Sequence, residues 1–188
     1  MELFITLRLK AGRSILRRRA SSVRRLKPKF DLDKVKRIGV LWDASNEDDF
    51  KHIAALNRQM MEIGKTVEVL TWIPGKDVPY RLTGLTYMKF LKNADLNWVF
   101  IPISDDAHKF IETKFDLLID INPSDVLPLT FIATLSPSPM KVGPDDSVDP
   151  VNSPYDLMIQ AGHPLKTALF LEQVLHYLTL ISNPVTRA

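Results

Sequence analysis

The side chains of this chain best placed to do chemistry are Asp43, Trp72, Asp120, Asn122, Gly162, His163 and Lys166. Each falls at the end of an apolar run that reads as a strand, and ligands of open α/β sheets gather outside the carboxyl ends of the strands. Carboxylates there suit acid–base work, and Gly162-His163-Pro164-Leu165-Lys166-Thr167 offers an anion a base and a hydroxyl at a helix start. None of these stretches completes a motif. Where a dinucleotide needs glycines, the first turn reads Asp43-Ala-Ser-Asn-Glu-Asp-Asp49, whose acids match a helix dipole and repel phosphate. The Gly162 turn lacks Walker spacing, and Pro164 removes an amide that phosphate would want. Plain helix-start punctuation explains both turns.

Other chemistries fail on composition. Zero Cys excludes disulfides and thiolate ligands and suits a reducing cytoplasm, the expected location. His52, His108, His163 and His176 are scattered without ligand spacing, so no metal is expected. No Gly-x-Ser-x-Gly elbow is present, and nothing implies a cofactor. Asp105-Asp106 and Asp145-Asp146 read as caps and solvated loop charges. Trp42, Trp72 and Trp98 all fall near strand ends; their faces can stack bases, but core-rim packing is the expected role.

The charge distribution is more specific. Ten of the 25 Lys and Arg residues lie in the first 29 positions: Arg8, Lys10, Arg13, Arg17, Arg18, Arg19, Arg24, Arg25, Lys27 and Lys29. Glu2 is the one acid there, so the rest of the chain holds 15 bases against 21 acids. A basic arm on an acidic body points to a polyanionic partner. Arg adds planar, bidentate phosphate recognition, and each phosphate contact gains from counterion release. Positions 10–29 contain no aromatic residue, so backbone shape rather than base sequence is the expected readout. Leu3, Phe4, Ile5, Leu7 and Leu9 beside the bases make an anionic membrane surface the competing partner. These apolar residues precede the charges, the reverse of a secretory signal, whereas the Arg- and Ser-rich, acid-poor composition resembles a mitochondrial transit peptide.

Residues 1–29 form one expected unit, a basic helical arm, and residues 30–188 another. Leu3, Leu7, Ala11 and Ile15 recur at helical spacing; like charges at i,i+4 would fray such a helix unless it docks. The body alternates strands and helices. Expected strands are 35–42, 66–73, 98–103, 115–121 and 155–161, with helices over 46–63, 106–113, from Ser124 or Asp125 toward Leu135, and from Pro164 to Ile181. The last helix is apolar nearly all round and is expected to be well buried. A short helix is expected near Leu85–Leu91, and residues 136–154, with five prolines, read as a loop. The fold class is therefore α/β: a single doubly wound, mostly parallel sheet, Rossmann-like or flavodoxin-like, with a basic helical extension.

Asp95-Leu-Asn-Trp98, Phe115-Asp-Leu-Leu-Ile-Asp120, Lys141-Val-Gly143, Tyr155-Asp-Leu-Met-Ile159 and the closing Phe170-Leu-Glu-Gln-Val-Leu-His-Tyr-Leu178 resemble an uncharacterised bacterial domain-of-unknown-function family. That resemblance implies a bacterial cytoplasmic setting and carries no site residues. Phe115–Ile121 with Lys141–Gly143 is also similar to the amino-terminal half of heptosyltransferase-like glycosyltransferases, which implies a shared fold rather than a shared activity. The function expected is a non-enzymatic RNA-associated protein, bound through its arm to ribosomal RNA and lying near ribosomal proteins. No sequence-specific reading of DNA is expected. A small-ligand enzyme or binding module at the carboxyl edge, of nucleotide or sugar-nucleotide type, is the alternative.

Overall fold

The computed structural model describes residues 2–122, 125–145, 153–160 and 166–183. Among these residues six strands form one sheet: β1 (Arg37–Asp43), β2 (Thr66–Ile73), β3 (Met88–Lys92), β4 (Leu117–Asp120), β5 (Met140–Pro144) and β6 (Leu157–Ile159). Every neighbouring pair is parallel, in the order β3-β2-β1-β4-β5-β6. This is the Rossmann-like order, whose direction of winding reverses between β1 and β4. Five helices accompany it among the described residues: α1 (Glu2–Ala20), α2 (Phe50–Glu62), α3 (Asp105–Glu112), α4 (Leu127–Leu135) and α5 (Thr167–Ser182).

The strands are apolar on both sides because both sides are covered. Ile38, Val40 and Trp42 of β1 join the core beneath α2 and α5, whereas Leu41 joins the core beneath α3 and α4. Local chemistry fixes the helix ends. Ser104 caps α3 by accepting from the Ala107 amide at 3.4 Å, and Asp105 and Asp106 occupy its first turn. Behind α2, Gly64 turns the chain at φ +73°.

The first helix is seated on the body. Leu16 is buried with Val99, Ile101, Leu127 and Phe131, and Leu9, Ala11 and Ile15 flank them, so α1 lies on the outer side of α4. Gly12 is the contact point: a Cβ there would collide with the Val99 carbonyl oxygen. Burying one leucine is worth about 1.5–3 kcal/mol. Each like-charge pair at i,i+4, such as Arg13 and Arg17, costs only about 0.2–0.5 kcal/mol. Packing therefore outweighs the helix's own repulsion.

Four expectations need correction. Leu85–Leu91 is no helix: Met88–Lys92 is the edge strand β3. Residues 136–154 contain β5, whose buried Lys141 hides a short strand between prolines. Residues 98–103 are a reversal rather than a strand, because Phe100 takes φ +63° and Leu96 bridges Pro102. Finally, α5 is only half buried, with Leu169, Tyr177, Leu180 and Ile181 between 41% and 50% exposed. Ser124, Asp146 and Pro164, where a cap, a loop charge and a helix start were expected, lie outside the described residues.

Candidate functional site

Asp43, Asp120 and Asn122 meet at the point where the winding reverses. Along β4 the side chains alternate, so Asp120 faces the α3/α4 side with Leu118. Its carboxylate accepts from Tyr155 Oη at 2.6 Å, from the Asn122 amide at 3.1 Å, and from Asn122 Nδ2. Asn122 Oδ1 in turn accepts from the Asp43 amide at 2.5 Å, and Nδ2 also reaches the Leu41 carbonyl. Asp43 Oδ1 holds the Ser45 amide and hydroxyl at 2.9 and 2.7 Å. The Tyr155 ring lies on Gly143 of β5, where a Cβ would sit 2.5 Å from ring carbons.

Burial pushes the Asp120 carboxyl up to about 6, against hydrogen bonds from Tyr155 and Asn122 that favour the charged form. The group is 3% exposed and both its oxygens are taken. Such an arrangement fastens β4 to β1 and to the Tyr155 turn; a general base needs a free oxygen facing its substrate. Of the remaining edge candidates, the Trp72 side chain is buried among Leu41 and Leu70, and Lys166 is an exposed cap residue of α5. Gly162 and His163 lie outside the described residues. On the opposite face, Trp42 Nε1 and Thr71 Oγ1 sit on paired positions of β1 and β2, buried and without a partner among the described residues.

A second cluster lies at the sheet's amino end and consumes part of the basic segment. Asp156 accepts from Arg25 Nη1 at 3.3 Å, from Lys27 Nζ at 2.6 Å and from the Lys141 amide at 2.9 Å, and it pairs with Arg25 Nη2. Arg25 also donates to the carbonyls of Ser138 and Pro139. Burial works to raise the Asp156 carboxyl, but donation from Arg25, Lys27 and Lys141 outweighs it and holds the group below the usual range. Lys141 Nζ closes the end of α4 through the carbonyls of Ala133 and Thr134 at 2.6 and 3.1 Å. Burial, aided by repulsion from Arg25, pushes this amine down to about 7.

The ten basic residues of the arm thus divide. Arg13 pairs with Asp125 at 2.5 Å, and Arg25 and Lys27 pair with Asp156. Arg8 donates to the Trp98 carbonyl, with its guanidinium 4.2 Å from the Phe100 ring centre and 5.8 Å from that of Phe4. Arg19 is exposed and lies 5.5 Å from the Phe131 ring centre. Lys10, Arg17, Arg18, Arg24 and Lys29 are exposed and have no ion pair among the described residues.

Trp98 departs from expectation. Trp42 and Trp72 are 1% and 9% exposed, as core-rim residues should be, but Trp98 is 65% exposed, so the three do not line one edge. Sequence reasoning also missed Tyr155, Asp156 and Phe100 as partners. Tyr155 and Asp156 open one of the family-like stretches, but nothing in that stretch singles them out as partners of Asp120 and Arg25.

No group of three or more His, Asp or Glu side chains among the described residues is placed to hold a metal. No helix among them is long and apolar enough to cross a membrane. A family described as "Family of unknown function (DUF6913)" matches residues 8–181. No curated protein matches the chain. The chain belongs to that family of unknown function.

Proposed function

We propose, for this member of a family of unknown function, a non-enzymatic role in which the seated α1 holds RNA by its phosphates. The observation that carries this reading is the set of exposed, unpaired cations, Lys10, Arg17, Arg18, Arg24 and Lys29, with the exposed Arg19 beside them. Seating gives Lys10, Arg17, Arg18 and Arg19 fixed spacing on α1, and Arg24 and Lys29 follow in the segment beyond it, so binding need not order a floppy helix. Structured RNA in the cytoplasm, ribosomal RNA among it, suits a reader of backbone shape, and ribosomal proteins would be the neighbours.

The test neutralises charge rather than deleting residues 1–29, since deletion would strip the cover from Phe131 and Leu127. Affinity for RNA is measured against salt for the full chain and for the variant carrying R17Q, R18Q, R24Q and K29Q. Five phosphate contacts predict a log–log slope of roughly −3.5 to −4.5. The variant should lose most of that slope and at least ten-fold in affinity. Equal affinity, or a flat salt dependence for the full chain, ends the reading.

A second reading, docking to an anionic membrane surface, rests on Leu3, Phe4, Ile5 and Leu7, which are 42% to 76% exposed. It is less well supported because an interfacial helix needs its apolar face free. Here Leu9, Gly12 and Leu16 already face the body, and apolar turns and cations follow one another along the axis. The small-ligand reading has least support, because Asp43, Asp120 and Asn122 are engaged with one another.

A further inference from the structure

The loop that carries Trp98 is built as a rigid platform beside α1. Asn97 Oδ1 accepts the amides of Val99 and Ile101, each at 3.0 Å, and the Asn97 amide donates to the Ile101 carbonyl at 2.9 Å. Phe100 donates back to the Asn97 carbonyl at 3.0 Å while held at φ +63°. A bulky aromatic residue in the left-handed region is strained, and strain of this kind persists only where the surroundings enforce it. Here Val99 and Ile101 are buried under α1, so the turn has no room to relax. Its product is an indole 65% exposed, with the Trp98 carbonyl tied to Arg8 and the Arg8 guanidinium near the rings of both Phe100 and Phe4.

The geometry points to unpaired nucleobases of RNA stacking on Trp98, with Phe4 as a second exposed ring, while the phosphates run along the α1 cations. This rests on the RNA reading above and narrows its substrate to single strands and loops. Stacking platforms beside a cationic track are how sequence-tolerant single-strand binders work, and every base offers a π-face. A paired duplex keeps its bases stacked inside and gains nothing from the indole. Charge complementarity selects the partner: Arg8, whose guanidinium lies beside these rings, pairs with no acid among the described residues.

The test uses the full chain, a short oligouridylate and a blunt RNA duplex. Trp98 is the one exposed tryptophan of three, so its fluorescence should be quenched by the oligouridylate and little changed by the duplex. Trp98→Ala should lower single-strand affinity roughly five- to hundred-fold, the loss of one stacked base, and leave duplex affinity within two-fold. Trp98→Phe, which keeps a ring, should recover much of the loss. An equal effect of Trp98→Ala on both RNAs, or none on either, overturns the inference. So does a blue shift with phosphatidylserine vesicles in the absence of any oligouridylate quenching. If the charge-neutralised variant binds normally, the phosphate reading has failed; if it binds poorly while Trp98→Ala is silent, only the stacking step has failed.

Discussion

Two stretches of the same basic segment are put to opposite uses. Arg25 and Lys27 close on Asp156, and the Arg25 side chain is only 14% exposed, whereas Arg17, Arg18 and Arg24, one to eight positions earlier, meet no carboxylate. Composition cannot distinguish them. The difference lies in what the body sets beneath each one: Asp156, just before β6, and the carbonyls of Ser138 and Pro139, just before β5, meet Arg25, whereas Arg17, Arg18 and Arg24 face solvent. The contrast teaches that a run of cations is a mixture of fasteners and contacts, sorted by the fold. It also bears on the RNA reading, which loses Arg13, Arg25 and Lys27 to internal pairs and Arg8 to the Trp98 loop, and keeps Lys10, Arg17, Arg18, Arg19, Arg24 and Lys29.

The sharpest way to break this comparison is Asp156→Ala. It would leave Arg25 largely buried without a counter-charge, so we expect a loss of about 3 kcal/mol in urea unfolding, near the lower end for a broken buried pair. A loss below about 0.5 kcal/mol, the scale of a surface pair, would place Arg25 with the open cations instead.

Asp120 provides the next effect and has the opposite sign. Its folded pKa of about 6 stands above an ordinary 3.8, so between those values the folded state binds more protons than the unfolded chain. Its contribution is fully present below pH 3.8 and is lost as pH rises through 6. At pH 7.5 the ionised group therefore costs about 2–3 kcal/mol. Asp120→Asn should stabilise the protein by about that amount at pH 7.5 and by little at pH 4. Unchanged stability at both pH values would mean the carboxylate is solvated, and the edge would then be an open site.

Smallest is Gly12→Ala, which sets helix propensity against packing. An exposed glycine-to-alanine change in a helix gains about 1 kcal/mol. Collision with the Val99 carbonyl should reverse that sign, costing about 1–2 kcal/mol and weakening RNA binding by shifting the cations. A stabilised variant would show that α1 does not sit on residue 99.

Much of this was readable in advance, for definite reasons. Thr66–Ile73 emerges as a strand with its expected ends because alternation is a local signal, and α3 lies close to the expected 106–113, though its cap is Ser104 rather than Asp105 or Asp106, which occupy the first turn. Met88–Lys92 is too short for its period to separate strand from helix, and Lys141 conceals β5 because its amine is satisfied by α4 carbonyls far from where a sequence would look. Trp98–Ile103 has the residue types of a strand, yet Asn97 pins two amides and turns it back. At the edge, Asp43, Asp120 and Asn122 were legible from their places at strand ends. Tyr155 was not, because 35 positions separate it from the carboxylate it touches. The seating of α1 did have a written sign in Gly12, a residue that weakens a helix unless something packs against it.

The order of synthesis gives that seating a further consequence. During translation α1 emerges well before the residues it rests on, Val99, Ile101, Leu127 and Phe131. A nascent chain therefore carries the seated face of α1, Leu9, Ala11, Ile15 and Leu16, uncovered until those residues emerge, an interval in which exposed apolar surface invites misassociation.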